Sequence, residues 1–241
     1  MKKRVLLTVA LAASAAWAAA QTDLGVWTEL DGEYAINKKW DVGVNAEVRT
    51  RDFLSGFDRY SIGVSTDFAP TKILSFGAGY FFIDSHKDSY TTKKGNIVDD
   101  YWRIKNRFYL QTKLKFKPSI LTIGVRLRYQ HTNENEVSIA KYSSSGVRKS
   151  NEVKEANSDN ILRTKFSLSV KATKLLRPYV GYELSNNFDG FSLEKQRFEV
   201  GTDFKLNKYN TIGIGYKRNI YSDDDDDKTH NVLSVSYKLS M

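Results

Sequence analysis

The chain has 241 residues, 37 of them basic and 28 acidic, for a formal charge of +9, and it has no cysteine. Disulfide frameworks, thiolate metal sites and cysteine nucleophiles are therefore excluded. The mean hydropathy is −0.48, and after the first twenty residues nothing approaches ~18 consecutive apolar residues, so helical membrane spans are excluded too.

In chain order, Met1-Lys2-Lys3-Arg4 is a basic start, and Val5 to Ala20 is an uncharged apolar run. Ala18-Ala19-Ala20 ahead of Gln21 fits a small-residue cleavage site. This is the pattern of a secretory signal peptide rather than a spanning helix. The expected division is a signal peptide, residues 1–20, and one mature domain, residues 21–241. The signal peptide holds three of the basic residues, which leaves the mature chain 34 basic against 28 acidic residues, or +6. A secreted chain of that sign suits anionic glycans or lipid phosphates; no nucleic acid and no cofactor is expected.

An early strand is read through Val26 to Ile36. Trp40 to Arg51 is the clearest. Trp40, Val42, Val44, Ala46, Val48 and Thr50 fall on one face, and Asp41, Gly43, Asn45, Glu47, Arg49 and Arg51 on the other. A period of two means a β-strand, because successive side chains point to opposite faces. The pattern returns at Arg59 to Phe68, Leu74 to Phe82, Trp102 to Leu114 and Leu121 to Gln130. It continues at Leu162 to Ala172, Arg177 to Asn186, Lys195 to Leu206, Thr211 to Tyr221 and Asn231 to Met241. After Trp40, long connections (Asp52 to Asp58, Ser85 to Val98, His131 to Ser158, Asn187 to Glu194, Ser222 to Thr229) alternate with short ones. Ten-residue alternating segments with alternating loop lengths are the signature of an all-β, antiparallel transmembrane barrel of the Gram-negative outer membrane. A soluble β-sandwich needs neither regularity. Short turns belong to the periplasmic side, which places Met241 there, and the partners expected are the lipid bilayer and lipopolysaccharide. The segments number eleven, whereas bacterial single-chain barrels have even counts. Ten strands from Trp40 onward, or twelve with another near the N-terminus, are the two repairs. The role of residues 21–36 is left open.

Certain residues carry a resemblance. They are Trp27; Asn37-x-Lys39-Trp40 leading to Glu47-x-Arg49; Leu74-x-x-Gly77-x-Gly79-Tyr80; and Arg126-x-Arg128-Tyr129. Further on come Pro178-Tyr179, Tyr182-Glu183, Gln196-Arg197-x-Glu199-x-Gly201 and Gly215-Tyr216. In this order the chain resembles the domain-of-unknown-function 2490 family of outer-membrane barrels. The resemblance implies location and fold, and assigns no catalytic or binding residue.

The polar face is strongly basic. Arg49, Arg51, Arg59, Arg103, Lys105, Arg107, Arg126, Arg128, Arg163, Lys165 and Arg197 are expected in the lumen, with Lys171, Lys195 and Lys217 beside them. Glu47, Glu183 and Glu199 are the expected lumenal acids, joined by Asp41 and Asp203. Two readings stay open. A cationic lumen selects anions, and the cargo is then a small anionic solute or oligosaccharide. Alternatively Arg–Glu pairs plug a narrow barrel and the molecule serves as a structural or surface-interaction barrel. Asp223, Asp225 and Asp227, within a run of five aspartates, are a weak candidate for a hard cation but lack the spacing and turn glycine of a dedicated loop. Catalysis is not expected. The alternative is a lipid hydrolase at the outer rim using His86 or His131, yet the chain contains no His-x-Ser. His131 to Ser158, with Ser143-Ser144-Ser145-Gly146 at its centre, is expected to be a mobile, exposed outer loop.

Overall fold

A computed structural model describes residues 24–222 and 230–241. Its strands are β1 (Leu24–Ala35), β2 (Trp40–Arg51), β3 (Gly56–Phe68), β4 (Leu74–Lys87), β5 (Tyr90–Thr91) and β6 (Ile97–Val98). Then come β7 (Tyr101–Phe116), β8 (Leu121–Glu134), β9 (Val137–Ile139), β10 (Lys141–Tyr142) and β11 (Glu152–Lys154). The last five are β12 (Asn157–Val170), β13 (Leu176–Asn187), β14 (Leu193–Lys205), β15 (Asn210–Tyr221) and β16 (Asn231–Ser240). The eleven long strands close a barrel in the order β1-β16-β15-β14-β13-β12-β8-β7-β4-β3-β2. The signal-peptide segment and the aspartate run lie outside the described residues.

Neither repair to an even count is needed. Antiparallel neighbours all the way round demand an even number of strands, so a barrel of eleven must contain one parallel pair. That pair is β1 with β16, in register from Leu24 opposite Asn231 to Glu33 opposite Ser240. Leu24–Ala35, within the segment whose role the sequence left open, is therefore the closing stave. Strand ends also differ from expectation. β3 starts at Gly56, β4 runs on through Lys87, and β8 and β12 reach Glu134 and Asn157. Ladder hydrogen bonds continue after the apolar alternation stops, because they need only backbone.

Four of the five short turns share a local cause. In Asn37-Lys38-Lys39-Trp40 the Asn37 Oδ1 accepts from the amides of Lys39 and Trp40, at 2.8 and 3.0 Å. Thr71 Oγ1 does the same for Ile73 and Leu74, Thr173 for Leu175 and Leu176, and Asn207 for Tyr209 and Asn210. A short polar side chain caps amides two and three residues on, and so fixes the reversal. Each of the four turns reads Asn or Thr, then Lys, then one more residue before the residue that opens the next strand.

The two faces separate cleanly. Val44, Ile62, Val64, Leu110 and Phe198 stand exposed on the outside, Leu110 at 63%. Four outward tyrosines mark the upper edge of this apolar band. The hydroxyls of Tyr80, Tyr129, Tyr182 and Tyr216 donate to the side-chain oxygens of Asn106, Asn160, Gln196 and Asn231, at 2.5–2.7 Å. Each amide sits on the next strand, two residues nearer the long-loop end than the tyrosine's register partner. The ring lies in the apolar band while its hydroxyl finds a polar partner above it. Exposed Tyr34, Trp40, Phe76, Phe116, Tyr209 and Tyr237 border the short-turn end. Aromatic borders at both ends of an outward apolar band are the features of a lipid-facing surface.

The long loops correct another expectation. Residues 135–156 form an ordered cap with the β4–β7 connection. β6 pairs with β5 and β10, and β9 pairs with β11. Val98 and Ile139 are buried within this cap, so apolar side chains in an otherwise polar loop gave it a small core.

Candidate functional site

The barrel encloses two chambers. The one at the long-loop end has a volume of about 630 Å³, and the one toward the short turns about 340 Å³. Arg49, Arg59, Arg107, Arg163 and Arg197 line both, so a belt of five arginines stands where the chambers meet. The belt draws on β2, β3, β7, β12 and β14, spread around the wall. Period-two alternation explains how this arises: each arginine sits one residue from an outward neighbour such as Val48, Tyr60, Phe108, Leu162 or Phe198.

Two glutamates serve the belt. Glu47 lies 2.8 Å from Arg49 and 3.7 Å from Arg59. Glu183, only 3% exposed, lies 2.5 Å from Arg126, 2.6 Å from Arg163 and 3.6 Å from Arg197. Arg107 has no carboxylate within ion-pair distance among the described residues; its Nε donates to Thr132 Oγ1 at 3.0 Å. Trp27 lies at the same level. Arg49 stacks on its ring at 3.6 Å, with Arg197 at 4.9 Å and the Lys217 ammonium at 5.1 Å. A π-face is a weak counter-charge for cations, so Trp27 adds to the carboxylates Glu47, Glu183 and Glu29 in offsetting the charge of these three groups.

The lower chamber is more evenly charged. Lys165 pairs with Glu199, Lys113 with Asp67 at 3.0 Å, and Lys217 with Glu29 at 3.1 Å. Arg128 bonds Gln111 Oε1 at 2.7 and 3.1 Å and stacks 4.0 Å over Tyr109. Lumenal aromatics lie flat because glycines make room. A Cβ on Gly79 would stand 2.5 Å from the Tyr109 ring, and one on Gly201 or Gly215 would meet the Tyr179 hydroxyl at 2.5 or 2.6 Å.

Three of the expected lumenal cations line neither chamber. Lys171 is exposed just past the end of β12. Arg51 pairs with Asp88 at the rim and has a nitrogen 2.9 Å from His86 Nδ1. Arg103 binds Glu134 at 3.0 Å and the carbonyls of Asn135 and Glu155, which anchors the cap. The positions of Arg51 and Arg103 follow from lying at strand ends, where a loop offers nearer partners than the lumen does. Lys105 pairs with Glu134 and lines the upper chamber. Alternation puts Asp67 and Tyr109 on the polar face, where they line the lower chamber; other lumenal residues escaped sequence reasoning: Trp27, Glu29, Asp31, Glu33, Phe81 and Ser185. Strand parity places each of them, but a search weighted toward arginine and lysine passes over them.

The rim histidines bond carboxylate and amide oxygens. His86 Nε2 is 2.9 Å from Asp100 Oδ2, and this hydrogen bond holds the exposed Asp100 carboxyl below the usual carboxylate range. His131 Nδ1 is 2.8 Å from Asn160 Oδ1. Ser85 donates instead to the Arg103 carbonyl at 3.3 Å. Nucleophilic catalysis needs a base bonded to the hydroxyl, and among the described residues no serine hydroxyl bonds either ring. Among the described residues no group of side chains could hold a metal ion; the aspartate candidates lie outside them.

A closed wall, antiparallel except at the β1–β16 seam, an outward apolar band between aromatic borders and a polar interior define the class: an outer-membrane-type β-barrel. A family model described as "Protein of unknown function (DUF2490)" matches residues 24–230, and the chain belongs to that family. The β-domain of the Bordetella autotransporter BrkA is similar in structure, with 13% identity, a TM-score of 0.51, and coverage of 85% of this chain and 82% of that one. The translocator domain of the autotransporter NalP from Neisseria meningitidis is similar at 9% identity and a TM-score of 0.52, covering 82% and 72%. At these identities the likeness is one of fold. No curated protein sequence matches the chain.

Proposed function

We propose that the protein is a non-enzymatic barrel of the outer membrane, set in lipid and lipopolysaccharide, whose lumen takes up and passes small anionic solutes. The observation that carries this reading is the belt: five arginines line both chambers, and Glu47 and Glu183 are the carboxylates within ion-pair distance of them. Two unit charges ~6 Å apart at an effective dielectric constant of ~20 repel by about 3 kcal/mol. An under-neutralised ring therefore favours an entering anion and opposes a cation.

The second reading, a closed barrel, draws on the same interior. Tyr109 and Tyr179 lie across the lumenal wall, and Glu183 clamps arginines from three strands. Conductance across planar bilayers separates the two. Anion passage predicts a stable pore that prefers chloride to potassium. Arg107→Glu should weaken or reverse that preference, because Arg107 has no carboxylate of its own to disturb. A barrel that inserts but conducts nothing would establish the closed form. Release of fatty acid from phospholipid or lipid A, lost on substitution of His86 or His131, would move the chain into the enzyme class.

A further inference from the structure

The upper chamber holds two groups of donors on facing walls that the protein's own hydrogen bonds leave open, with Arg59 also 3.7 Å from Glu47. On one wall Lys195 of β14 and Ser185 of β13 are register partners, and both line the chamber. The Lys195 ammonium has no carboxylate within ion-pair distance among the described residues; it lies 5.6 Å from the centre of the Tyr221 ring. Ser185 is 5% exposed and its hydroxyl is buried with no hydrogen-bond partner. A buried orphan hydroxyl costs ~1–3 kcal/mol, so its presence here needs an explanation. Arg163 is the register partner of Ser185 on its other side, which puts a guanidinium, a hydroxyl and an ammonium in one cross-strand row.

The other wall is built from β3 and β7. Arg107 is fixed by Thr132 through Nε, which leaves its terminal nitrogens without a bonded acceptor among the described residues. The Arg59 Nε is buried without a hydrogen bond. In the barrel order four steps separate β7 from β14, so these groups face the Lys195 wall across the chamber. Each group also stands beside a register irregularity. One lies between Ser185 and Asn186, the other between Arg49 and Thr50, where Arg49 pairs with Arg59. Bulges re-aim side chains and concentrate at sites of function.

We propose that the upper chamber is a two-point binding site for a dianionic solute, with one acidic group held by Lys195 and Ser185 and the other by Arg107 and Arg59. The inference rests on the anion reading above and narrows it. Monoanions satisfy one wall only, whereas a solute carrying carboxylates or phosphates at both ends satisfies both. The second contact is then intramolecular and gains from a high effective concentration. A chamber of about 630 Å³ is within the ~300–1,000 Å³ of ordinary small-molecule sites.

The test is calorimetric titration of the purified full chain in detergent with straight-chain dicarboxylates from succinate to suberate, and with acetate and butyrate as monoanions. Binding should peak at one chain length and exceed the monoanions by at least about tenfold. Lys195→Gln and Arg107→Gln should each remove that advantage, and the double variant should lose little more, because either wall alone holds one acid. Native folding of each variant is checked by heat-modifiable migration. If no dicarboxylate binds better than its monoanion at any length, the two-point site is wrong, and a chloride-selective pore would still support the broader reading. If dicarboxylates bind as described while the pore prefers potassium, the site stands and anion passage falls. Losses that simply add in the double variant would also overturn the bridging geometry.

Discussion

At the scale of the residue, one carboxylate does most to hold the lumen together. Glu183 sits within ion-pair distance of Arg126, Arg163 and Arg197. It comes from β13, and its partners from β8, β12 and β14, so one side chain ties four staves. Removing it leaves three guanidinium groups facing one another in a nearly dry wall. Breaking a buried pair on one side costs ~3–5 kcal/mol; with the chamber next to it, Glu183→Gln should cost about 3 kcal/mol. Glu199→Gln, which frees Lys165 alone, should cost clearly less. Urea unfolding midpoints of the two variants in detergent measure the difference, and equal shifts would deny Glu183 its clamping role. Sequence parity put Glu183 and its partners on one face. It could not say that three arginines converge on one acid, because that depends on register between strands.

At the scale of the element, the informative feature is the seam. Parallel pairing is slightly weaker per residue than antiparallel pairing, yet the β1–β16 seam closes the sheet and so removes its edges. The pairing can be read chemically, since the chain has no cysteine. Thr28 and Val235 are outward register partners across the seam. Thr28→Cys with Val235→Cys should form a disulfide on oxidation, tying residue 28 to residue 235, and the nearly circular chain should migrate differently until reduced. A barrel closed by β2 on β16, with residues 21–36 left over, predicts no reductant-sensitive shift. The alternation showed β1 as a strand, but the usual even count argued against its use. The four Asn/Thr-Lys turns were also present in the sequence. They are four residues long and spaced unequally, so they stand out only once the turns are seen side by side.

At the scale of the molecule, the barrel is inverted relative to a soluble protein: apolar outside, charged within. That arrangement predicts how charge is tolerated. Val64 is 56% exposed on the outer face, and its neighbour Ser65 lines the lower chamber. Arginine on a lipid face near the midplane costs ~2–4 kcal/mol, while lumenal charge is tolerated. Val64→Arg should therefore reduce heat-modifiable, folded protein in the outer-membrane fraction, and Ser65→Arg should leave it near the parent level. Equal recovery of the two, or recovery of the parent chain from the soluble periplasm, would contradict membrane placement.

The sequence by itself determined what depends on period two and on neighbours along the chain. That covers the strands, the two faces and the alternation of short and long connections. Tertiary structure decided what depends on pairing between strands far apart in the chain. The closure of β1 on β16, the count of eleven, the five-arginine belt with its two glutamates, and the orphan Ser185 beside Lys195 are of this kind. The folding of the outer loops into a cap belongs with them. The physical reason is register: alternation fixes the wall a side chain faces, and only the sliding of one strand against the next fixes which charges meet there.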